Sequence, residues 1–272
     1  MTQHASEPTT AAGGYDLRPP LAVWPCGQDP HTPPAIDLTR RLITGLSARG
    51  QAAVFLGHGD GGPLAQAVQS GRRAYGIEIE PDRVTAAEQR VIDHLADEDR
   101  RRAVHRCGDA RSAATLLEDM CGRAALVVAW LPEPGRIPRT ARVASGHLGR
   151  LNGATYSDAL GDVVRAAARL LRPGGHVALV CGGTRQDGGH PDRVTACAHH
   201  AHAAGLVYLQ HIIALTDPVE TYVDGDEAAG VPGAGGLGPA HARAAASVIN
   251  PTHDDVVLLH KPAEVADAEV VR

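Results

Sequence analysis

A glycine-rich loop stands out among the residues that could do chemistry. The segment FLGHGDGGP, residues 55–63, follows a short apolar run and holds Gly57, Gly59 and Gly61. Glycine lets a backbone approach a ligand closely, so such a loop before a helix can present its N–H groups to a bound molecule. Its place between an apolar run and a helical pattern predicts a ligand-binding loop.

Two acids follow the next two apolar runs of the chain. Glu78 ends the run RAYGIE, and Asp109 lies in the tripeptide GDA that follows the run AVHRC. A carboxylate at the end of the second strand can hold the hydroxyls of a ribose, and one after the third strand can accept the amino group of an adenine. With the loop, these acids predict a site for an adenosine-containing ligand. The alternative is that these residues only form turns between strands.

Apolar runs and helical patterns alternate along the chain, which is typical of a parallel sheet with helices on both faces. The predicted strands cover residues 52–56, 73–78, 103–107, 124–130, 176–180, 205–215 and 256–260. The predicted helices cover residues 35–48, 63–70, 81–95, 112–120, 157–171 and 192–204. Only an irregular segment separates the last two strands, so we expect them to form an antiparallel hairpin at the edge. The prediction is a Rossmann-like α/β fold with seven, mostly parallel, strands.

The composition fits one large α/β domain. The chain has 272 residues, 43% of them hydrophobic, and a net charge of −5. This negative charge argues against a positive electrostatic potential over the whole protein that would attract nucleic acid. The five cysteines are scattered without a CxxC pair, so we expect no disulfide framework and a cytoplasmic location. No apolar run is long enough to span a membrane.

Boundaries can be placed from composition as well. Residues 1–20 are polar and lack the apolar core of a signal peptide, so we expect a disordered tail there. The domain is expected to cover residues 21–262, with a C-terminal tail over residues 263–272. The glycine-rich segment at residues 219–238 is expected to be a mobile connection before the last strand.

Three segments carry a family resemblance: SGRRAYGIEIEPDRV (residues 70–84), GDA (108–110) and LLRPGGHVALV (170–180). With Trp24-Pro25 and Tyr156-Ser157-Asp158, they resemble amino-directed DNA methyltransferases of an actinobacterial type. The resemblance implies a Rossmann-like class I methyltransferase fold with S-adenosylmethionine as cofactor. It also implies that Glu78 takes the ribose hydroxyls and Asp109 the adenine.

The first departure from this family lies at Phe55. In a gap-free alignment from Glu78, Phe55 takes the position of an acid that opens the family's glycine loop and helps to hold the methionine end of the cofactor. A phenylalanine ring cannot accept those hydrogen bonds. Asp60 is an acid at a new place in the loop, where it either compensates in part or caps the helix that follows.

The second departure lies at the end of the fourth predicted strand. Family members that methylate a base amine carry a polar residue there, then two prolines and an aromatic residue that stacks on the flipped base. This chain has Trp130-Leu131-Pro132-Glu133 instead. One interpretation is a rearranged catalytic site, with Trp130 as the stacking face and Glu133 as the acceptor. The other is a decayed site in which Trp130 packs against the sheet.

The loop that follows, residues 135–155, is basic and contains no acid. Its cationic residues are Arg136, Arg139, Arg142, His147 and Arg150. They could contact the phosphates of DNA or RNA, or an acidic partner surface. The alternative is a solvated, flexible loop. Elsewhere, His199, His200 and His202 share one predicted helix, but without a third ligand of known proximity we expect surface histidines and no metal.

Three functions remain open from the sequence. The first is a degenerate homologue of a DNA methyltransferase, acting as a non-catalytic or accessory subunit beside an active methyltransferase partner. The second is an active S-adenosylmethionine-dependent methyltransferase with a changed acceptor, which is DNA, RNA or a small molecule. The third is a sensor that binds an adenosine ligand without chemistry.

Overall fold

The computed structural model describes residues 23–27, 29, 31–138, 140–182, 193–216 and 253–263. Within these residues eight strands form one sheet: β1 (Val23–Pro25), β2 (Ala52–Leu56), β3 (Arg73–Glu78), β4 (Ala103–Cys107), β5 (Ala124–Leu131), β6 (Leu171–Gly182), β7 (Val207–Leu215) and β8 (His253–His260). The α-helices are α1 (Pro34–Leu46), α2 (Gly62–Gln69), α3 (Pro81–His94), α4 (Asp97–Arg100), α5 (Ala113–Leu116), α6 (Gly153–Leu170) and α7 (Arg193–Ala203). The predictions for the N-terminal tail, for the connection at residues 219–238, for Arg139 and for nearly all of the C-terminal tail fall outside the described residues.

The sheet is mostly parallel, with the strand order β1-β7-β8-β6-β5-β2-β3-β4. β8 runs antiparallel to both β6 and β7, while the remaining neighbours are parallel. The predicted Rossmann-like α/β fold with a C-terminal antiparallel hairpin is therefore confirmed. Because β2 lies between β3 and β5, the strand order reverses there, and ligand sites form beyond the carboxyl ends at such a point.

The structure has one strand more than the seven predicted. β1 pairs in parallel with the end of β7, where Trp24 lies opposite Ala214. Its three residues are too few to show the alternation that marks a strand in a sequence. β7 is consequently covered along part of its outer edge.

Three other predicted elements differ from the structure in their boundaries. The residues Arg172–Gly175, predicted as a turn, lie inside β6 because they continue the sheet beyond β8. The Gly174 N–H donates to the Lys261 carbonyl over 2.9 Å, and the Lys261 N–H donates to the Gly175 carbonyl over 2.9 Å. The helix predicted over residues 112–120 is divided into α5 and two flanking 3-10 turns, and α6 begins before the predicted start at Ser157.

A hydrophobic core lies on each face of the sheet. On one face, Leu160 and Val163 of α6 pack with buried residues of the central strands. On the other face, Leu42 of α1 and Val68 of α2 pack with Phe55 of β2. The central strands are buried on both sides, which explains their continuous apolar runs. Among the described helices, none is both long enough and apolar enough to cross a bilayer.

Candidate functional site

A cleft of about 320 Å³ lies beyond the carboxyl ends of β2, β3 and β5. Four of the predicted site residues line it: Gly57, Glu78, Trp130 and Pro132. Its other lining residues are Ile77, Ile79, Arg83, Gly108, Ala110, Ile137, His147 and Leu148. The fold thus brings the glycine loop, the acid of β3 and the end of β5 to one place.

Glu78 connects β3 to the glycine loop, and its side chain is buried. Its Oε1 accepts the N–H groups of Ile79 and Glu80 over 2.9 and 3.1 Å. Its Oε2 accepts the N–H of Gly59 over 2.8 Å. A carboxylate offers about four acceptor positions, so one remains at Oε2. Glu78 therefore fixes the loop and can still bind one hydroxyl of a ligand.

The three glycines of the loop adopt a backbone conformation that disfavours other residues. Gly57, Gly59 and Gly61 have φ values of 76°, 62° and 85°, in the left-handed region that favours glycine. Gly61 also lies against α3, where an added Cβ would come within 2.7 Å of the Ala87 Cβ. Gly57 lines the cleft, whereas Gly61 lets α2 and α3 approach each other.

Asp60 lies outside the lining of the cleft. Its Oδ1 accepts the N–H of Gly62 over 3.2 Å at the start of α2, and its Oδ2 pairs with Arg90 of α3. The side chain is 56% exposed. The N-cap residue of α2 is Gly61, so Asp60 contacts the first N–H of the helix from one position before the cap.

His58, between the glycines of the loop, is a buried residue to which the sequence assigned no role. Its Nδ1 lies 3.0 Å from the Gly59 carbonyl, and its ring meets that of His105 edge-on, with centroids 5.7 Å apart. An added Cβ at Gly76 would lie 2.5 Å from the imidazole, so glycine there makes room for it. Burial, with a smaller effect of His105, lowers the pKa of His58 to about 4, so that the ring is neutral near pH 7.

The carboxylate of Asp109 is engaged by Arg111 on the same turn. It accepts the Arg111 backbone N–H over 2.9 Å and the Nε–H over 3.0 and 2.9 Å to its two oxygens, and Nη2 also contacts it. The neighbours Gly108 and Ala110 line the cleft, whereas Asp109 does not. Binding an adenine amine at Asp109 would therefore require Arg111 to give up part of this ion pair.

Phe55 is completely buried and stacks on Trp130. The ring centroids are 6.2 Å apart, with an angle of 28° between the planes. Phe55 lies opposite Val128 in the parallel pairing of β2 and β5, so Trp130 is its diagonal neighbour on the same face of the sheet. Trp130 packs against the sheet through this contact and also lines the cleft.

The residues after Trp130 are held by side chains from α6 and α7. The Tyr156 hydroxyl donates to the Pro132 carbonyl over 2.9 Å, and Arg193 Nη1 lies 3.5 Å from the Leu131 carbonyl. Burial raises the pKa of Tyr156 to about 12, so its hydroxyl remains a donor. Glu133 pairs with Arg136 over 2.9 Å and lies outside the lining of the cleft.

The basic loop folds back over the cleft. Its Ala144 N–H donates to Glu80 Oε1 over 2.9 Å, which ties it to the turn between β3 and α3. The Gly149 N–H donates to His147 Nδ1 over 3.1 Å, so a neutral His147 carries its proton on Nε2. Since His147 lines the cleft, that Nε2–H is a donor available to a ligand.

The arginines of the loop differ in their contacts. Arg136 pairs with Glu133, and Arg150 donates to the Ala141 carbonyl. Arg142 is exposed and makes no side-chain hydrogen bond or ion pair within the described part of the chain. A separate arginine, Arg83 of α3, lines the cleft, with its Nη1 3.6 Å from the position of a Cβ added to Gly59. No motif or spacing in the sequence points to Arg83, because its side chain reaches the cleft only through the placement of α3.

Of the histidines of α7, His199 and His202 are exposed, as predicted, whereas His200 contacts α6. His200 Nε2 lies 3.0 Å from the Ser157 hydroxyl of α6, and its ring meets that of His199 edge-on. Across the described residues, no three His, Cys, Asp or Glu side chains come together in the arrangement of a metal site.

The sequence matches no model of a protein family, and it matches no curated protein. Solved structures with similar folds do exist. The [4+2]-cyclase SpnF has a TM-score of 0.55 at 15% identity, over 88% of this chain and 87% of that chain. A geranyl diphosphate methyltransferase in complex with SAM has a TM-score of 0.51 at 14% identity, over 84% and 86%. Magnesium protoporphyrin IX methyltransferase from Synechocystis, with bound SAM, has a TM-score of 0.50 at 12% identity, over 84% and 78%.

At these identities the likeness concerns the fold. It agrees with the strand order of the sheet, the antiparallel β8 and the glycine loop after β2. This chain therefore has the Rossmann-like fold of the class I S-adenosylmethionine-dependent methyltransferases.

Proposed function

We propose that this protein binds S-adenosylmethionine or its product S-adenosylhomocysteine in the cleft and does not methylate base amines. On this proposal it is a degenerate homologue of an amino-directed DNA methyltransferase, acting as a non-catalytic or accessory subunit beside an active one. The binding half of the proposal is supported by the cleft, and the non-catalytic half by the end of β5.

The cleft fits the adenosine half of such a ligand. Glu78 Oε2 keeps one acceptor position for a ribose hydroxyl, and Gly57 leaves the backbone open to close approach. Ile79, Ala110 and Leu148 provide apolar walls for a flat base. When bound, S-adenosylmethionine supplies an activated methyl group on a sulfonium, but the residues named here only bind and orient the nucleoside.

The proposed lack of catalysis rests on the hydrogen-bond acceptors at residues 130–133, at the end of β5. A base amine needs a polar side chain and a backbone carbonyl to accept its hydrogen bonds. Here Trp130 offers no acceptor, the Pro132 carbonyl accepts the Tyr156 hydroxyl, and Glu133 is paired with Arg136. A flipped base would therefore meet no side-chain acceptor at Trp130, would share the Pro132 carbonyl with Tyr156, and would find Glu133 outside the lining of the cleft.

Calorimetry combined with a methyl-transfer assay tests this proposal. Binding of S-adenosylmethionine and S-adenosylhomocysteine, with no transfer of a labelled methyl group to DNA or RNA, is the expected result. Methyl transfer to a base amine would contradict the non-catalytic half. Absence of binding by either ligand and by adenosine would contradict the ligand half, and binding of all three with equal affinity would favour an adenosine sensor.

A second candidate is an active methyltransferase with a changed acceptor, and His147 favours it. Its Nε2–H is a donor in the cleft and could orient an oxygen of a small-molecule acceptor. A labelled methyl group that appears in small molecules but not in DNA or RNA would support this candidate. The substitution His147→Ala would then lower kcat for that acceptor more than it weakens S-adenosylhomocysteine binding.

For the binding partner, we propose DNA or RNA, whose phosphates would contact the basic loop. Among the described loop residues, Arg142 is the exposed arginine without a side-chain partner, which supports few phosphate contacts. With one or two contacts, log K should fall with log[salt] with a slope of about −1 to −2. The change Arg142→Ala should reduce that slope by about one, and an unchanged slope would count against the loop as the contact surface.

A further inference from the structure

The acids that the sequence predicted as ligand groups around the cleft are engaged by other groups. Glu78 is the acid that lines the cleft, and three backbone N–H groups share its charge. Asp60 pairs with Arg90, and Asp109 pairs with Arg111. Arg83 adds a positive charge beside the glycine loop. A cationic ligand group therefore meets little attraction from acids here.

The aromatic pair of Phe55 and Trp130 occupies the place where an acid is missing. Phe55 is fully buried and supports the Trp130 ring from within the core, with 6.2 Å between their centroids. Trp130 is half-buried and lines the cleft, and an added Cβ at Gly57 would lie 3.5 Å from its carbonyl oxygen. Phe55 thus supports the Trp130 ring, and Trp130 itself lies at the cleft with its carbonyl oxygen next to Gly57.

An indole face attracts cations through its quadrupole, and tryptophan does so better than tyrosine or phenylalanine. S-adenosylmethionine carries a sulfonium cation, whereas S-adenosylhomocysteine carries an uncharged thioether at the same atom. The two ligands differ only by that methyl group and its charge, so the ratio of their affinities measures how strongly the site favours the cation.

We propose that the Trp130 indole, supported by Phe55, is the subsite for the sulfonium of the ligand and replaces the missing carboxylate by a cation–π contact. This inference rests on the proposed function, because it assigns one part of the ligand that the cleft binds. It makes Trp130 a binding residue that selects the methylated form of the ligand.

The test compares the affinities of both ligands, measured by calorimetry, in the wild-type protein and in Trp130→Leu. Loss of the π face should lower the preference for S-adenosylmethionine over S-adenosylhomocysteine by roughly five- to thirtyfold. Trp130→Phe, which keeps a weaker π face and the stack on Phe55, should lower the preference by less. The control Ile79→Ala removes apolar wall without removing an aromatic ring, so both ligands should lose affinity by the same factor. Thermal unfolding of each variant establishes that it is folded.

The outcomes separate the inference from the proposed function. If wild-type protein binds both ligands and Trp130→Leu weakens both by one factor, the sulfonium subsite is wrong while the proposed function stands. If Trp130→Leu does not fold, an unchanged preference in Trp130→Phe overturns the inference in the same way. If wild-type protein binds neither ligand, the proposed function itself is wrong.

Discussion

At the residue scale, Phe55 is a packing residue of the core. Its ring is fully buried, belongs to the core beneath α1 and α2, and stacks on Trp130. An acid at this position, which the sequence resemblance would imply, would therefore place a carboxylate among apolar side chains.

The substitution Phe55→Asp should lower the free energy of unfolding by about 3–5 kcal/mol, because it removes a buried ring and leaves a buried charge. Phe55→Leu keeps an apolar side chain and should cost less than about 1.5 kcal/mol. Urea unfolding of both variants measures the difference. Equal stability of the two variants would show that Phe55 is not part of the packed core.

His58 predicts a dependence of stability on pH. Its pKa in the folded protein is about 4, below its ordinary value of 6.5, because the ring is buried beside His105. Between these pH values the unfolded chain binds a proton that the folded chain does not. Stability should therefore fall as pH decreases from about 6.5 to about 4, by up to roughly 3 kcal/mol.

His176 acts in the same window, since burial beside His260 lowers its pKa to about 4 as well. The free energy of unfolding should accordingly fall less steeply with decreasing pH in His58→Gln than in the wild-type protein. It should fall less steeply again in His58→Gln/His176→Gln. A slope that is the same in wild-type protein and in the double variant would contradict the assignment to these two rings.

At the scale of elements, the strands were predictable and the loop contacts were not. The apolar runs of β2 and β5 are buried on both faces and that of β3 is mostly buried, and the ends of these strands place Gly57, Glu78 and Trp130 at the cleft. The fold of the basic loop depends on contacts between distant residues, such as Glu80 with Ala144, which leave no periodic signal in the sequence. His147 could not be placed at the cleft for that reason.

Asp109 and Glu133 each form an ion pair with an arginine that follows closely in the sequence. Asp109 is followed two residues later by Arg111, and Glu133 three residues later by Arg136. These spacings allow a carboxylate and a guanidinium to pair on one turn, which was a visible signal. The ligand roles of both acids, with Asp109 binding the adenine and Glu133 accepting an amine, remain predictions.

The contact between Glu80 and the basic loop gives a prediction for that element. Glu80→Ala removes the acceptor of the Ala144 N–H, so the loop should cover the cleft less of the time and affinity for S-adenosylhomocysteine should fall by roughly five- to tenfold. Hydrogen exchange at the Ala144 amide should become faster. The matched control is Glu88→Ala, an exposed glutamate on the same helix, which should change neither quantity. Faster exchange in both variants would contradict the specific role of Glu80.

At the scale of the whole molecule, the sheet depends on a strand from the end of the sequence. β8 lies between β6 and β7 and pairs with both along its length. β1, by contrast, pairs with three residues of β7 at the outer edge. The chain must therefore place β8 before the two sides of the sheet are joined.

Deletion of residues 253–272 should abolish folding, because it removes Val256, Val257, Leu258 and Leu259, each at most 2% exposed. Burial of four such side chains contributes roughly 6–12 kcal/mol, which is comparable with the whole stability of a domain, about 5–15 kcal/mol. Deletion of residues 1–25 removes β1 and the buried ring of Trp24, which should cost about 3–5 kcal/mol and leave a folded protein of lower Tm. Circular dichroism melting and gel filtration distinguish these results. A cooperative transition in the C-terminal deletion would show that β6 and β7 hold together without β8, and loss of folding in the N-terminal deletion would show that β1 does more than cover an edge.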